Sequence, residues 1–158
     1  MTYPTSVFKY SLALLASLLL TACQTTREVL DLETSIVLDF RVAQNINPDE
    51  DNRASPLMLT LVQLRDRRQF ESEDFIELYQ DPKTRLSGDF ISASTLREFL
   101  PGESREEEVV LTPEVRYVGL IAAYSQYRKA VTKLVLPIEP HSSNDFTINI
   151  NELGISLR

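Results

Sequence analysis

"TSIVLDFRV", residues Thr34–Val42, is the stretch from which the architecture can be read. Ile36, Leu38, Phe40 and Val42 are apolar, and Asp39 and Arg41 stand between them. Side chains of an extended chain alternate between two faces, so this segment is predicted to be a strand with one buried and one wet face.

Moving outward toward the C-terminus, "LMLTLVQL" (Leu57 to Leu64) has strand length and few polar residues, and is read as a central strand. Between the two runs lies a loop that starts at Asn45, with Asn47-Pro48-Asp49 and Ser55-Pro56 as breakers at its ends. A hairpin needs only about two to five residues, and long ordered loops are more often functional than short ones. After the second strand, Phe75, Ile76, Leu78 and Tyr79 recur at helical spacing, with Ser72 as a cap and Asp81-Pro82 as a stop, which predicts one short helix.

Strand character returns over Phe90 to Leu100, breaks at Pro101-Gly102, resumes around Val109 to Leu111 and breaks again at Thr112-Pro113. "RYVGLIAAYSQY" follows, its core from Tyr117 to Tyr124 read as another central strand. "VTKLVLPI" and "FTINI" come next, and "NELG" turns the chain back into "ISL" as a last hairpin. The sum is an all-β chain of about seven to eight short strands with a short inserted helical segment, which packs as a two-sheet sandwich.

Toward the N-terminus the pattern changes. In "YSLALLASLLLTACQTT", Lys9 precedes an apolar run from Tyr10 to Leu20 that has signal-peptide length and falls short of the roughly 20 residues that span a bilayer. Leu20, Thr21, Ala22 and Cys23 look like a bacterial lipobox, in which the thiol is alkylated, the peptidase requires small residues before the cut, and the freed amine is acylated. Cys23 is the one cysteine of the chain, which disfavours a disulfide framework; a core cysteine or a plain secretory leader is the alternative reading. One acyl chain binds membranes marginally, and three hold a protein there. The organisation expected is a cleaved signal peptide at 1–22, a lipidated N-terminus and tether at 23–34, and a β-sandwich domain at 35–158.

The 158-residue chain carries a net charge of -7, and because Lys9 is the only charged residue of the leader, removal leaves 15 basic against 23 acidic residues. That balance disfavours nucleic acid, whose phosphates need a basic face. Catalytic constellations are not apparent either. His141, the single histidine, sits in a breaker-rich loop and reads as a surface residue. There is no calcium-loop spacing, no Gly-x-Ser-x-Gly and no phosphate loop, and among the acids no pair stands out. "ESREEE" (Glu103 to Glu108) reads as a solvated edge that blunts strand pairing, and "RDRR" (Arg65 to Arg68) as a surface ridge.

The lipobox leader, the alternating first strand, the loop "NINPDEDNRASPL", the strand ending "VQL", the "DF..LY.D" segment, the "PGE" turn and "YVGLIAAY", in that order, resemble the type VI secretion lipoprotein (TssJ) family over nearly the whole chain. The resemblance implies a transthyretin-like sandwich on the periplasmic face of the outer membrane. It also implies a non-enzymatic role without cofactor, metal or small-molecule substrate. The implied partner is the periplasmic C-terminal domain of the inner-membrane protein TssM, within a TssJ-TssL-TssM complex. Gln24 after the cysteine, where an aspartate favours inner-membrane retention, points by the same likeness to the outer membrane.

The first inter-strand loop is the partner surface that the family likeness implies, and it comprises Asn45, Ile46, Asn47, Pro48, Asp49, Glu50, Asp51, Asn52, Arg53 and Ala54. Ile46 and Pro48 would offer apolar contact, and Asp49, Glu50, Asp51 and Arg53 would steer the partner. A pilotin or ligand-binding lipoprotein and a periplasmic hydrolase on a sandwich scaffold are the competing readings.

Overall fold

The computed structural model describes residues 33–158, so Cys23, the lipobox and the tether lie outside the described residues apart from Glu33 and Thr34. Eight strands follow in order: β1 (Thr34–Val42), β2 (Leu59–Leu64), β3 (Phe90–Thr95), β4 (Ser104–Leu111), β5 (Tyr117–Ala122), β6 (Lys133–Pro137), β7 (Ser143–Asn151) and β8 (Gly154–Leu157). They form two four-stranded sheets, ordered β4-β1-β7-β8 and β3-β2-β5-β6. Neighbours pair antiparallel except β1 and β7, which run parallel.

The alternation of β1 is realised as read. Ile36, Leu38 and Phe40 are fully buried and face the second sheet's Leu59, Leu61, Val118, Leu120 and Leu136 in one shared core. β2 and β5 are buried on both faces: Val62, Leu64 and Ile121 point away from that core and pack under Phe70, Leu78 and Leu86. Double-sided burial is why these strands read as nearly continuous apolar runs.

The second layer comes from the segment between β2 and β3, and here the expectation of one helix is corrected to three short ones. They are α1 (Arg68–Ser72), α2 (Phe75–Gln80) and α3 (Pro82–Leu86), followed by a 3-10 turn at Ser87–Asp89. Ser72 ends α1 and donates to the Gln69 carbonyl, whereas Asp74 precedes α2. Asp81 caps α3 by accepting from the Thr84 N–H at 3.1 Å, with Pro82 as its first residue. Lys133 of β6 donates to the Phe70 and Glu71 carbonyls at 3.0 and 3.1 Å, placing a cation at the C-terminal end of α1. Gly119 lets the layer sit close, because a Cβ there would come within 2.6 Å of the Phe70 ring.

β4 begins earlier than the apolar residues suggest, and most of "ESREEE" lies in it. As an edge strand it has one neighbour, β1, with Arg105 opposite Phe40 and Glu107 opposite Leu38. The Arg105 guanidinium lies 3.8 Å from the Phe99 ring centroid, and Phe99 meets Phe40 at 4.5 Å. Arg105 also donates to the Arg97 and Glu98 carbonyls and approaches Glu107 at 2.7 Å. That last approach is a charge contact and not an aligned hydrogen bond. Inward charges of this kind close an edge against further pairing. Of the "RDRR" residues, Arg65 donates to the Gly88 and Phe90 carbonyls, and Arg67 and Arg68 pair with Glu71 and Asp66.

Candidate partner-binding pole

β1 leaves its sheet at Val42 and β2 enters the other sheet at Leu59, so the intervening loop crosses between layers. Its length therefore does not signify an overgrown hairpin, because β1 and β2 never pair. The crossing is organised around Asn47, which is 5% exposed and adopts a left-handed backbone with φ 46°. Its N–H donates to the Glu152 carbonyl at 3.0 Å, and its carbonyl accepts from the Ser55 hydroxyl at 2.6 Å. The side-chain amide donates to the Pro56 carbonyl at 2.8 Å and accepts from the Ser125 N–H at 2.7 Å. Three separate turns thus meet on one residue.

Ile46 is fully buried in the inter-sheet core and Pro48 is buried beside it, which corrects the expectation that they offer apolar contact to a partner. What remains outward is the tip: Glu50, Asp51, Asn52, Arg53 and Ala54 are exposed and Asp49 is half-buried. The tip is closed by its own bonds. Asp49 accepts from the Asp51 and Arg53 N–H groups at 2.9 Å each, and its carboxylate pairs with the Arg53 guanidinium at 2.9 Å. The Arg53 N–H first, and the guanidinium after it, hold the Asp49 carboxyl below the usual carboxylate range. Asn45 reaches across to Glu152 at 2.8 Å. A loop ordered before encounter loses less conformational entropy on docking than a floppy one.

Sequence reading missed the neighbour that completes this pole, the turn Ser125–Lys129 after β5. Gln126 donates to the Pro48 carbonyl at 3.2 Å, and an open groove of about 520 Å³ runs between the loop and the turn. On the other side of the turn, Tyr127 stacks on Phe75 of α2 at 5.2 Å. The recognisable signal is the aromatic and cationic content of "SQYRK", which lies just past the strand read over Tyr117 to Tyr124. Tyr124 just before it is buried, its hydroxyl donates to the Asn151 carbonyl at 3.0 Å, and desolvation raises its pKa.

The pole lies at the far end of β1 from Thr34. A strand rises about 3.3 Å per residue, so Val42 stands about 26 Å from Thr34, where the chain arrives from its N-terminus. Among the described residues no group of three His, Cys, Asp or Glu side chains is placed to hold a metal ion, and no helix is long and apolar enough to cross a membrane.

The model of the family described as "Type VI secretion lipoprotein, VasD, EvfM, TssJ, VC_A0113" matches residues 34–153. The chain belongs to this type VI secretion lipoprotein family. The TssJ1 lipoprotein of Pseudomonas aeruginosa has the same fold, with 27% identity and a TM-score of 0.75 over 80% of this chain and 95% of that one. Lip of Serratia marcescens, a membrane-bound component of the type VI secretion system, aligns at 18% identity and TM-score 0.72 over 79% and 97%. A chain in a structure of the T6SS protein TssM C-terminal domain from EAEC aligns at 22% identity and TM-score 0.67 over 79% and 98%. Curated protein sequences give no match. The family model runs from the first strand through strands of both sheets, and the TssJ1 structure has the same fold, so the two-sheet architecture is that of the family.

Proposed function

We propose that the chain is an outer-membrane lipoprotein of a type VI secretion membrane complex, anchored through acyl chains on Cys23, and that its distal pole binds the periplasmic C-terminal domain of a TssM-type inner-membrane protein. The observation that carries this reading is family membership over residues 34–153, directly downstream of the Leu20-Thr21-Ala22-Cys23 motif. Geometry supports it. The chain enters the sandwich at Thr34, and the ordered loop tip projects from the opposite end. A protein so placed can grip a partner that reaches across the periplasm. The role is binding and not catalysis, with no cofactor or small-molecule substrate.

Cys23→Ser tests the anchor. Membrane fractionation with labelled fatty acid is expected to show loss of lipid label and release of the protein from the outer membrane, with the β-rich domain still folded. Undiminished labelling would defeat the assignment of Cys23. Titration of the unaltered chain with the periplasmic TssM domain tests the partner, and absence of binding would favour a different outer-membrane lipoprotein role.

A further inference from the structure

Beside the loop, the surface carries a row of groups that the fold does not need to expose. Tyr79, 51% exposed, stacks on Phe75 at 5.6 Å, Phe75 stacks on Tyr127 at 5.2 Å, and the Arg128 guanidinium lies 5.7 Å from the Tyr127 ring centroid. A groove of about 380 Å³ opens between α2 and the turn, walled by Asp74, Phe75, Ile76, Glu77, Tyr127 and Arg128. Tyr79 is exposed and Phe75 and Tyr127 are half-buried, and aromatic side chains at a surface are enriched in the cores of protein interfaces.

Charge picks out the occupant. The chain is strongly acidic, and most arginines of the described region are tied to carboxylates or backbone carbonyls. Arg128 and Lys129 are exposed neighbours, and among the described residues neither has a carboxylate within 4.0 Å. Glu77 in the groove is neutralised by Arg85, and Asp74 lines the same groove at the start of α2. A ligand with both apolar and acidic groups is therefore oriented, its carboxylates toward Arg128 and Lys129 and its apolar side chain on the rings. Two cations on so acidic a chain argue against nucleic acid and against an anionic membrane surface as the occupant, since each calls for a broader basic face.

We propose that Tyr79, Phe75, Tyr127, Arg128 and Lys129 form a second docking strip, continuous with the loop, that takes an acidic segment of the partner protein bearing an apolar or aromatic side chain. This rests on the reading that the pole binds the TssM-type domain, and it adds which chemistry on that domain is recognised. Because both cations are exposed, steering and salt sensitivity are expected along with affinity.

The test uses the chain purified from membranes in detergent, titrated with the periplasmic TssM domain at low and high salt. Arg128→Glu with Lys129→Glu is expected to weaken binding about tenfold or more and to flatten its salt dependence. The charge-preserving pair Arg128→Lys with Lys129→Arg is expected to bind as the parent does. Tyr79→Ala, a truncation at an exposed ring, is expected to weaken binding severalfold with the salt dependence unchanged. Thermal melts of all variants should coincide with the parent.

Parent-like affinity of the charge-reversed variant, with the unaltered chain still binding, overturns the strip and leaves the loop reading in place. Failure of the unaltered chain to bind removes both. Loss of binding to anionic vesicles in the charge-reversed variant, with TssM affinity unchanged, assigns the strip to lipid and also overturns the proposal.

Discussion

Replacing Asn47 with Ala would strike the joint on which the loop, the Ser125 turn and the Glu152 turn converge. The substitution removes two side-chain hydrogen bonds, to the Pro56 carbonyl at 2.8 Å and from the Ser125 N–H at 2.7 Å. Both are partly buried, and each is expected to contribute about 1 to 1.5 kcal/mol. Alanine must also hold φ 46°, a left-handed conformation that asparagine tolerates and alanine resists by about 1 kcal/mol. The expected destabilisation is therefore about 3 to 4 kcal/mol, on the order of a 10 °C fall in Tm for a domain of this size. Asn47→Gly separates the contributions, since glycine accepts the backbone and lacks only the amide, so it should lose about 2 to 3 kcal/mol. Urea and thermal melts of the three proteins measure both differences. If both variants stay within about 0.5 kcal/mol of the parent, water replaces the amide without loss and Asn47 is not the joint described here.

Two further outcomes follow from the packing and the ionised groups. Gly119→Ala pushes a methyl to within 2.6 Å of the Phe70 ring, so it should destabilise by about 1 to 3 kcal/mol, and Phe70→Leu in the same chain should restore part of the loss in urea melts. The carboxyls of Asp49, Asp81 and Glu103 are held below their ordinary values, first by N–H donation from Arg53, by hydrogen bonding from Thr84 and by N–H donation from Leu100 respectively. Groups with depressed folded-state pKa values contribute stability that is present above the unfolded value and lost as pH falls through the folded one. The urea midpoint should therefore be flat from neutrality down to about pH 5 and decline below about pH 4. A midpoint that rises on acidification would contradict these pairings.

The layered sandwich was legible because its central strands obey simple rules. Ile36, Leu38, Phe40 and Val42 alternate onto the core, and the unbroken apolar character of Leu59–Leu64 reflects burial on both faces. β4 was harder to see, since an edge strand with one neighbour can carry Arg105, Glu106, Glu107 and Glu108, and the arginine covers Phe99 in place of an apolar residue. The helical segment broke into three because Asp74 and Asp81-Pro82 each interrupt a run too short to hold itself together. At the site, the loop's position in sequence was evident, but its interior and its tip were not. Ile46 and Pro48 look like contact residues in a list of residue types. Only the crossing from one sheet to the other shows that they belong to the core and its margin. The Ser125–Lys129 turn escaped because its contacts with Asn47, Pro48 and Phe75 are long-range.

The central claim, that the distal pole grips a TssM-type domain, is tested most directly by changing the tip while sparing the residues that build it. Glu50 and Asp51 are exposed, whereas excising Ile46 to Ala54 would also remove a core residue and the Asn47 joint. Calorimetric titration of the periplasmic TssM domain into a Glu50→Ala, Asp51→Ala chain, which keeps the Asp49–Arg53 pair and the left-handed Asn52, should show affinity reduced about tenfold or more, with a melt close to that of the parent. Parent-like affinity in that well-folded variant would contradict the account and move the binding surface elsewhere on the sandwich.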